Sequence, residues 1–198
     1  YDAALYTRLA LSRDKDQVKE LSEKGLVIDK PQDIIKDPYI LEFIGLPEHS
    51  KYSENDLETE LINQLEHFLL ELGNGFTFVA RQKRISFDEK HFRIDLVFYN
   101  RILKSFVLID LKINDVKHHD IGQMNMYMGY FSAEENIESD NPPIGIILSK
   151  DKDELLVEYA TYGMDTNLFV QKYHLYLPNE EELRREIEAT LIEQSHDE

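Results

Sequence analysis

The chain has 198 residues and no cysteine, so it can bury a sizeable core but has no disulfide, thiolate metal ligand or cysteine nucleophile. It has neither an apolar run of about 18 residues nor the basic start and apolar centre of a signal peptide, which predicts a soluble, cytoplasmic protein. The formal net charge of −17 argues against a polyanionic partner. Residues 81–120, however, carry nine Lys and Arg against six Asp and Glu, so we expect a moderately basic middle region within an acidic surface.

The first 36 residues are expected to form a helical remnant of an upstream region and a linker. Apolar residues at helical spacing within residues 2–24 predict a surface helix or helical pair that ends at Gly25. Three prolines and little periodicity predict an irregular linker over residues 27–47. Because the sequence starts with Tyr1 and not with Met, we expect either that it begins inside a longer chain, with an upstream domain missing, or that it omits a disordered start. Residues 37–198 are then the main domain.

This main domain is predicted to alternate helices and strands. Apolar residues recur at helical spacing from Leu57 to Leu72 and stop at a Gly-Asn-Gly sequence. Three strand-like runs follow, and the third is apolar almost throughout, which suits a strand covered on both faces. We expect strands at 76–82, 92–99, 105–113, 144–148 and 168–175, and further helices at 117–131, 152–160 and 180–193. This order predicts an α/β sandwich, with a mixed central sheet flanked by helices.

Three charged residues within these apolar strands form a candidate site. Asp110 and Lys112 are two residues apart in the third strand, so their side chains leave the same face. Asp95 interrupts the second strand, and antiparallel pairing would bring it beside Asp110. Two such carboxylates repel each other unless a divalent cation lies between them, and oxygen ligands suit Mg²⁺ or Mn²⁺. Lys112 would then hold an attacking water or stabilise charge on a phosphate.

The D-(x)14-D-x-K spacing of these residues, after an acidic helix and before another helix, resembles the PD-(D/E)XK nucleases. More narrowly, the chain resembles the YhcG-type bacterial family of nucleases over roughly residues 37–177. The segments that carry this resemblance are residues 37–39, 43–47, 56–58, 68–73, 122–127 and 141–148. The resemblance implies a restriction-endonuclease-like αβββαβ core, which in the family follows a helical, DNA-binding-like region.

The resemblance also implies roles for individual residues. Asp95 and Asp110 would be the metal ligands and Lys112 the catalytic lysine. Glu58 matches the family's acidic helix residue, and it would orient a metal-bound water or help to hold a second ion. Asp110 stands where these relatives more often have Glu, so its shorter side chain is expected to draw the metal closer to the strand.

Two further residues, Gln123 and Tyr127, match a trailing Q-x-x-x-Y element of the family. Their spacing of four places them on one helix face, where an amide and a phenol can hydrogen-bond phosphate or water. Basic residues on the strand hairpin are expected either to contact phosphate or to form a solvated turn: Arg81, Lys83, Arg84, Lys90 and Arg93. His118 and His119 are expected to form a solvated helix start and not a metal cluster.

These features favour a Mg²⁺-dependent nuclease that hydrolyses DNA phosphodiester bonds in repair, recombination or restriction, and a homodimer is compatible with them. Two alternatives stay open. An acidic surface and the change at Asp110 are compatible with an inactive nucleic-acid-binding or assembly module that keeps the nuclease fold. Metal-dependent phosphodiesterase chemistry does not itself select the sugar, so RNA is the other candidate substrate.

Overall fold

The protein is described from a computed structural model, which covers residues 30–36, 39–46, 51–87, 89–151, 153–164 and 167–175. The helices expected at 2–24 and 180–193 lie outside these residues. The structure has the strands β1 (Tyr39–Ile40), β2 (Phe76–Phe87), β3 (Lys90–Asn100), β4 (Ser105–Lys112), β5 (Ile144–Ser149) and β6 (Leu168–His174). Its α-helices are α1 (Glu54–Asn63), α2 (Leu65–Leu72), α3 (His118–Tyr130) and α4 (Glu154–Thr161).

The strands form one mixed sheet in the order β1-β6-β5-β4-β3-β2. β2, β3 and β4 pair in antiparallel fashion, whereas β4, β5, β6 and β1 are parallel neighbours. The β4–β5 and β5–β6 pairs need crossover connections, which α3 and α4 supply, whereas β1 and β6 come together from distant parts of the chain. The predicted αβββαβ order and mixed sheet are therefore confirmed.

Apolar side chains cover the sheet on both faces. One cluster packs α1 and α2 against residues such as Phe98 and Ile109. A second cluster packs α3 against residues such as Val97, Leu108 and Ile147. β4 contributes to both clusters because its side chains alternate between the faces, which confirms that it is a strand covered on both sides.

The packing of α3 on β5 depends on a glycine. A Cβ added at Gly145 would lie 2.7 Å from Met124 Cγ and 2.7 Å from Met128 Sδ. A larger residue there would have to displace both methionine side chains. The sequence Ile144-Gly145-Ile146 thus combines a buried strand with a close approach of the helix.

Two local expectations need correction. The irregular linker expected over 27–47 is wrong for Tyr39–Ile40, which pairs with β6 as the edge strand β1. Leu41 continues this contact by donating its N–H to the His174 carbonyl at 2.7 Å. The strand was missed because two residues are too few to show an alternating pattern in the sequence. The single helix expected from Leu57 to Leu72 is instead two helices, separated at Gln64, where φ is −109° and ψ is 31°.

In the part of the chain that the structure describes, no helix combines the length and the apolar composition that a bilayer crossing requires.

Candidate active site

The register of β3 against β4 determines where the two candidate aspartates lie. Leu96 is the Cα partner of Ile109. Asp95 precedes Leu96 and Asp110 follows Ile109, so in antiparallel strands both aspartates lie next to this pair on the same side. The N–H of Leu111 donates to Asp95 Oδ2 at 2.8 Å, which fixes the Asp95 carboxylate beside β4. The antiparallel pairing expected from the sequence is confirmed.

Asp110 and Lys112 form an ion pair on one face of β4. Lys112 Nζ lies 2.7 Å from Asp110 Oδ2, and the two side chains are only 19% and 8% exposed, respectively. Burial, followed by the negative charge of Asp95, raises the pKa of the Asp110 carboxyl to about 7, although Lys112 opposes this change. Burial alone would lower the pKa of Lys112, but the charge of Asp110 and the hydrogen bond to it dominate, and the pKa is raised. The ammonium therefore remains protonated at neutral pH.

Glu58 is buried on the inner face of α1, with a relative exposure of 2%. Arg81 Nε donates to its Oε1 at 3.1 Å, and Gln82 Nε2 donates to its Oε2 at 2.6 Å. Burial raises the pKa of Glu58, while the hydrogen bond from Gln82 opposes the change. A charged sequence alone would favour a solvated glutamate at this position. Glu58 is instead buried, and the two donors supply the hydrogen bonds that a buried carboxylate needs.

Gln82 is a site residue that reasoning from the sequence missed. Besides its bond to Glu58, the same Nε2 donates to Asp95 Oδ1 at 3.0 Å. The sequence around it reads as an ordinary strand, and a glutamine between basic residues carries no metal-site signal. Its position depends on a backbone irregularity, since Gln82 has a φ of +47°.

Gln123 and Tyr127 lie on one face of α3, as their spacing predicted. The Gln123 amide donates to the Tyr127 hydroxyl, which in turn donates to the Arg93 carbonyl at 3.0 Å. Burial raises the pKa of Tyr127, and the charges of Asp110 and Asp95 act in the same direction. The phenol is therefore close enough to the carboxylates to sense their charge. Contact with phosphate or water stays a prediction.

The donor chemistry of this site fits a hard divalent cation. Its candidate ligands are carboxylate oxygens, and the negative charge of Asp95 disfavours ionisation of Asp110, which a cation would relieve. The side chains as they stand are held by protein donors. Within the described ranges, no group of three or more His, Cys, Asp or Glu side chains is arranged to hold a metal ion. A cation shared with Asp95 would therefore have to draw Asp110 away from Lys112.

The five basic residues of the β2–β3 hairpin do not share one environment. Arg81 pairs with Glu58, and Lys83 Nζ lies 2.9 Å from Glu135 Oε1. The other three are exposed on the hairpin: Arg84, Lys90 and Arg93. The set is therefore divided between residues paired with glutamates and residues on the hairpin surface for which the described part of the chain shows no such pair, and contact with phosphate stays a prediction.

The two histidines at the start of α3 are exposed, as expected. His119 Nε2 lies 3.3 Å from Asp120 Oδ1, and Asp120 accepts the N–H of Lys117 at 2.8 Å as a helix cap. Asp120 is therefore a structural residue of the helix start, and its charge also contributes to the raised pKa of Asp110.

A mixed sheet flanked by helices, with Asp95 on one strand and Asp110 and Lys112 at the end of its neighbour, is the arrangement of a PD-(D/E)XK nuclease. The family model described as the YhcG PDDEXK nuclease domain matches residues 32–188, so the chain belongs to this family. A relative in Escherichia coli strain K12, described as "Putative nuclease YhcG", is 38% identical over 185 residues. The match covers 93% of this chain and 49% of that protein, so the chain spans about half the length of the curated relative.

Two solved structures have partial similarity to this chain. A structure described as a repair endonuclease from Pyrococcus abyssi is 19% identical, with 67% of this chain and 50% of that chain covered and a TM-score of 0.41. A structure described as an EndoMS complex with double-stranded DNA is 16% identical, with 68% and 50% covered and a TM-score of 0.43.

Proposed function

We propose that this domain is a Mg²⁺-dependent nuclease that hydrolyses phosphodiester bonds of DNA, with Asp95, Asp110 and Lys112 at its centre. The observation that carries the proposal is the convergence of these three side chains where the pairing of β3 with β4 ends, in a chain of the YhcG PDDEXK family. Resemblance to that family supports repair, recombination or restriction as the biological setting.

Asp95 and Asp110 are the proposed ligands of the cation, and Glu58 would orient a bound water or assist with a second ion. A divalent cation bound there would act as a Lewis acid and neutralise charge on the phosphate. Its binding would also release the proton that the buried Asp110 carboxyl retains below about pH 7.

Lys112 supplies the fixed positive charge in this proposal. In the described arrangement its ammonium is held by Asp110 at 2.7 Å. If Asp110 held a cation instead, the ammonium would be free to donate hydrogen bonds to a water or to a phosphate oxygen, where negative charge develops in the transition state. Gln123 and Tyr127 are proposed to bind phosphate or water beside it, because their amide and phenol form one hydrogen-bonded unit next to the carboxylates.

The charge distribution favours a nucleic-acid substrate, and the family resemblance favours DNA. The molecule is acidic overall, but Arg84, Lys90 and Arg93 are exposed on the hairpin whose strands carry Arg81 and Asp95 into the site. Phosphate contacts of this kind position a duplex without reading its sequence. RNA remains a substrate to be tested in parallel.

A second candidate is a nucleic-acid-binding module without turnover. It is favoured by one observation: each of the three candidate carboxylates already accepts hydrogen bonds from protein donors. An inactive relative would keep such an arrangement unchanged when a cation is added.

Cleavage of labelled DNA in Mg²⁺ or in chelator separates the two candidates. Single-stranded, duplex and branched DNA and a matched RNA should be compared. Cleavage that Mg²⁺ supports and that both Asp95→Asn and Lys112→Ala abolish is the expected result. Lys104→Ala is the matched control, because Lys104 is exposed at the opposite end of β4. Binding that survives without cleavage of any substrate would support the module instead.

A further inference from the structure

One amide joins two of the candidate carboxylates. Gln82 Nε2 donates to Glu58 Oε2 at 2.6 Å and to Asp95 Oδ1 at 3.0 Å. Glu58 belongs to α1 and Asp95 to β3, so this nitrogen connects the helix to the sheet within the site. The orientation of the amide follows from its neighbours, since an ionised carboxylate only accepts hydrogen bonds and the Gln82 oxygen would be repelled.

Gln82 reaches this position through an unusual backbone conformation. Successive side chains of a regular strand point to opposite faces, yet Arg81 and Gln82 both hydrogen-bond Glu58. The φ of +47° at Gln82 turns its side chain to the side that Arg81 already occupies. Residues other than glycine rarely adopt this left-handed conformation, and it persists where the surrounding contacts maintain it, often at functional sites.

The bonds from Gln82 leave room for a ligand on the same carboxylates. An ionised carboxylate has about four lone-pair positions. Asp95 uses one for Gln82 and one for the Leu111 N–H, and Glu58 uses one for Gln82 and one for Arg81. Partners of this kind orient metal ligands without replacing them, and their loss typically weakens metal binding by about 10- to 100-fold.

We propose that Gln82 is a positioning residue that holds the Glu58 and Asp95 carboxylates beside each other, so that a divalent cation meets ligands that are already oriented. The inference rests on the proposed function, because it assumes that these carboxylates receive a cation. Without the amide, two negative groups on separate elements repel each other and lose their common donor. A cation then has to gather them from a wider range of positions, which lowers its affinity.

Two variants separate the amide from the backbone. Gln82→Met keeps the side-chain length but removes the donor, whereas Gln82→Gly removes the side chain and accepts the left-handed backbone without strain. Gln171→Met makes the same chemical change on β6, two strands away from β4, and serves as the matched control. Mn²⁺ affinity is measured by titration calorimetry on the 198-residue chain, after circular dichroism has established that each variant is folded.

Both Gln82 variants should bind Mn²⁺ at least about tenfold more weakly than the unchanged chain, while Gln171→Met should bind equally well. Unchanged affinity in either Gln82 variant overturns the inference, and tighter binding does so as well, since the amide would then compete with the ion. If the unchanged chain and Asp110→Asn bind Mn²⁺ equally, the metal site fails, and the proposed function fails with the inference.

Discussion

Replacing Asp110 by Asn should change how stability depends on pH in the metal-free protein. The folded protein raises the pKa of this carboxyl from an ordinary value of 3.8 to about 7. Ionising it therefore costs more in the folded than in the unfolded chain. The contribution of Asp110 to the free energy of unfolding is therefore most favourable below about pH 4, falls between about pH 4 and 7, and is constant above that range. The total loss is about 4 kcal/mol.

The Asp110→Asn variant lacks this titration. The substitution also leaves Lys112 without its ion-pair partner, which changes the free energy of unfolding by an amount that is constant over the same pH range. Urea unfolding in chelator at half-unit pH steps from 4.5 to about 7.5 should therefore show the unchanged protein losing stability relative to the variant as pH rises. Asp115→Asn removes an exposed carboxylate just after β4 and controls for net charge. Parallel pH profiles for Asp110→Asn and the unchanged protein would contradict the assignment of a buried, destabilised carboxylate.

Three further predictions test the site and the fold, and one of them compares two glycine substitutions. Lys112→Met should lower any Mg²⁺-dependent cleavage by at least about 100-fold while DNA binding persists, and a loss of less than tenfold in a cleavage assay would refute the role of the ammonium. Gly145→Ala should destabilise the protein by about 1–3 kcal/mol in urea unfolding, because the new Cβ meets two methionines at 2.7 Å. Gly129→Ala on α3, where an added Cβ has nothing within 4 Å, should instead be neutral or stabilising, and equal effects would argue against the close packing. Ser53→Ala removes the side chain that accepts the Asp56 N–H at 3.2 Å and should cost about 1 kcal/mol; no change in the unfolding midpoint would show that this cap does not stabilise α1.

The central strands and their charged residues could be predicted because alternation within a strand is a local property. Asp110 and Lys112 are two residues apart, which is enough to place both on one face of β4. Asp95 could be predicted to lie beside Asp110 because a short connection joins their two apolar strands, and the observed register agrees. The same reasoning predicted β5 and β6, whose apolar runs are long enough to be distinguished from their surroundings.

Other parts of the site depend on contacts between residues that are distant in sequence. Glu58 follows from family resemblance but not from periodicity, because its burial arises only when α1 packs on the sheet. The position of the Gln82 side chain depends on the left-handed backbone conformation of Gln82 itself, which no neighbouring turn residue predicts. β1 consists of two residues that become a strand only by pairing with β6, more than a hundred residues later in the chain.

The central claim is that Asp95 and Asp110 share one divalent cation. Anomalous diffraction from crystals soaked in Mn²⁺ tests it most directly, because the metal can be located without reference to activity. We predict a peak bounded by both carboxylates, with Lys112 no longer paired to Asp110. Mn²⁺ bound only elsewhere, with the Lys112–Asp110 pair intact, would contradict the claim.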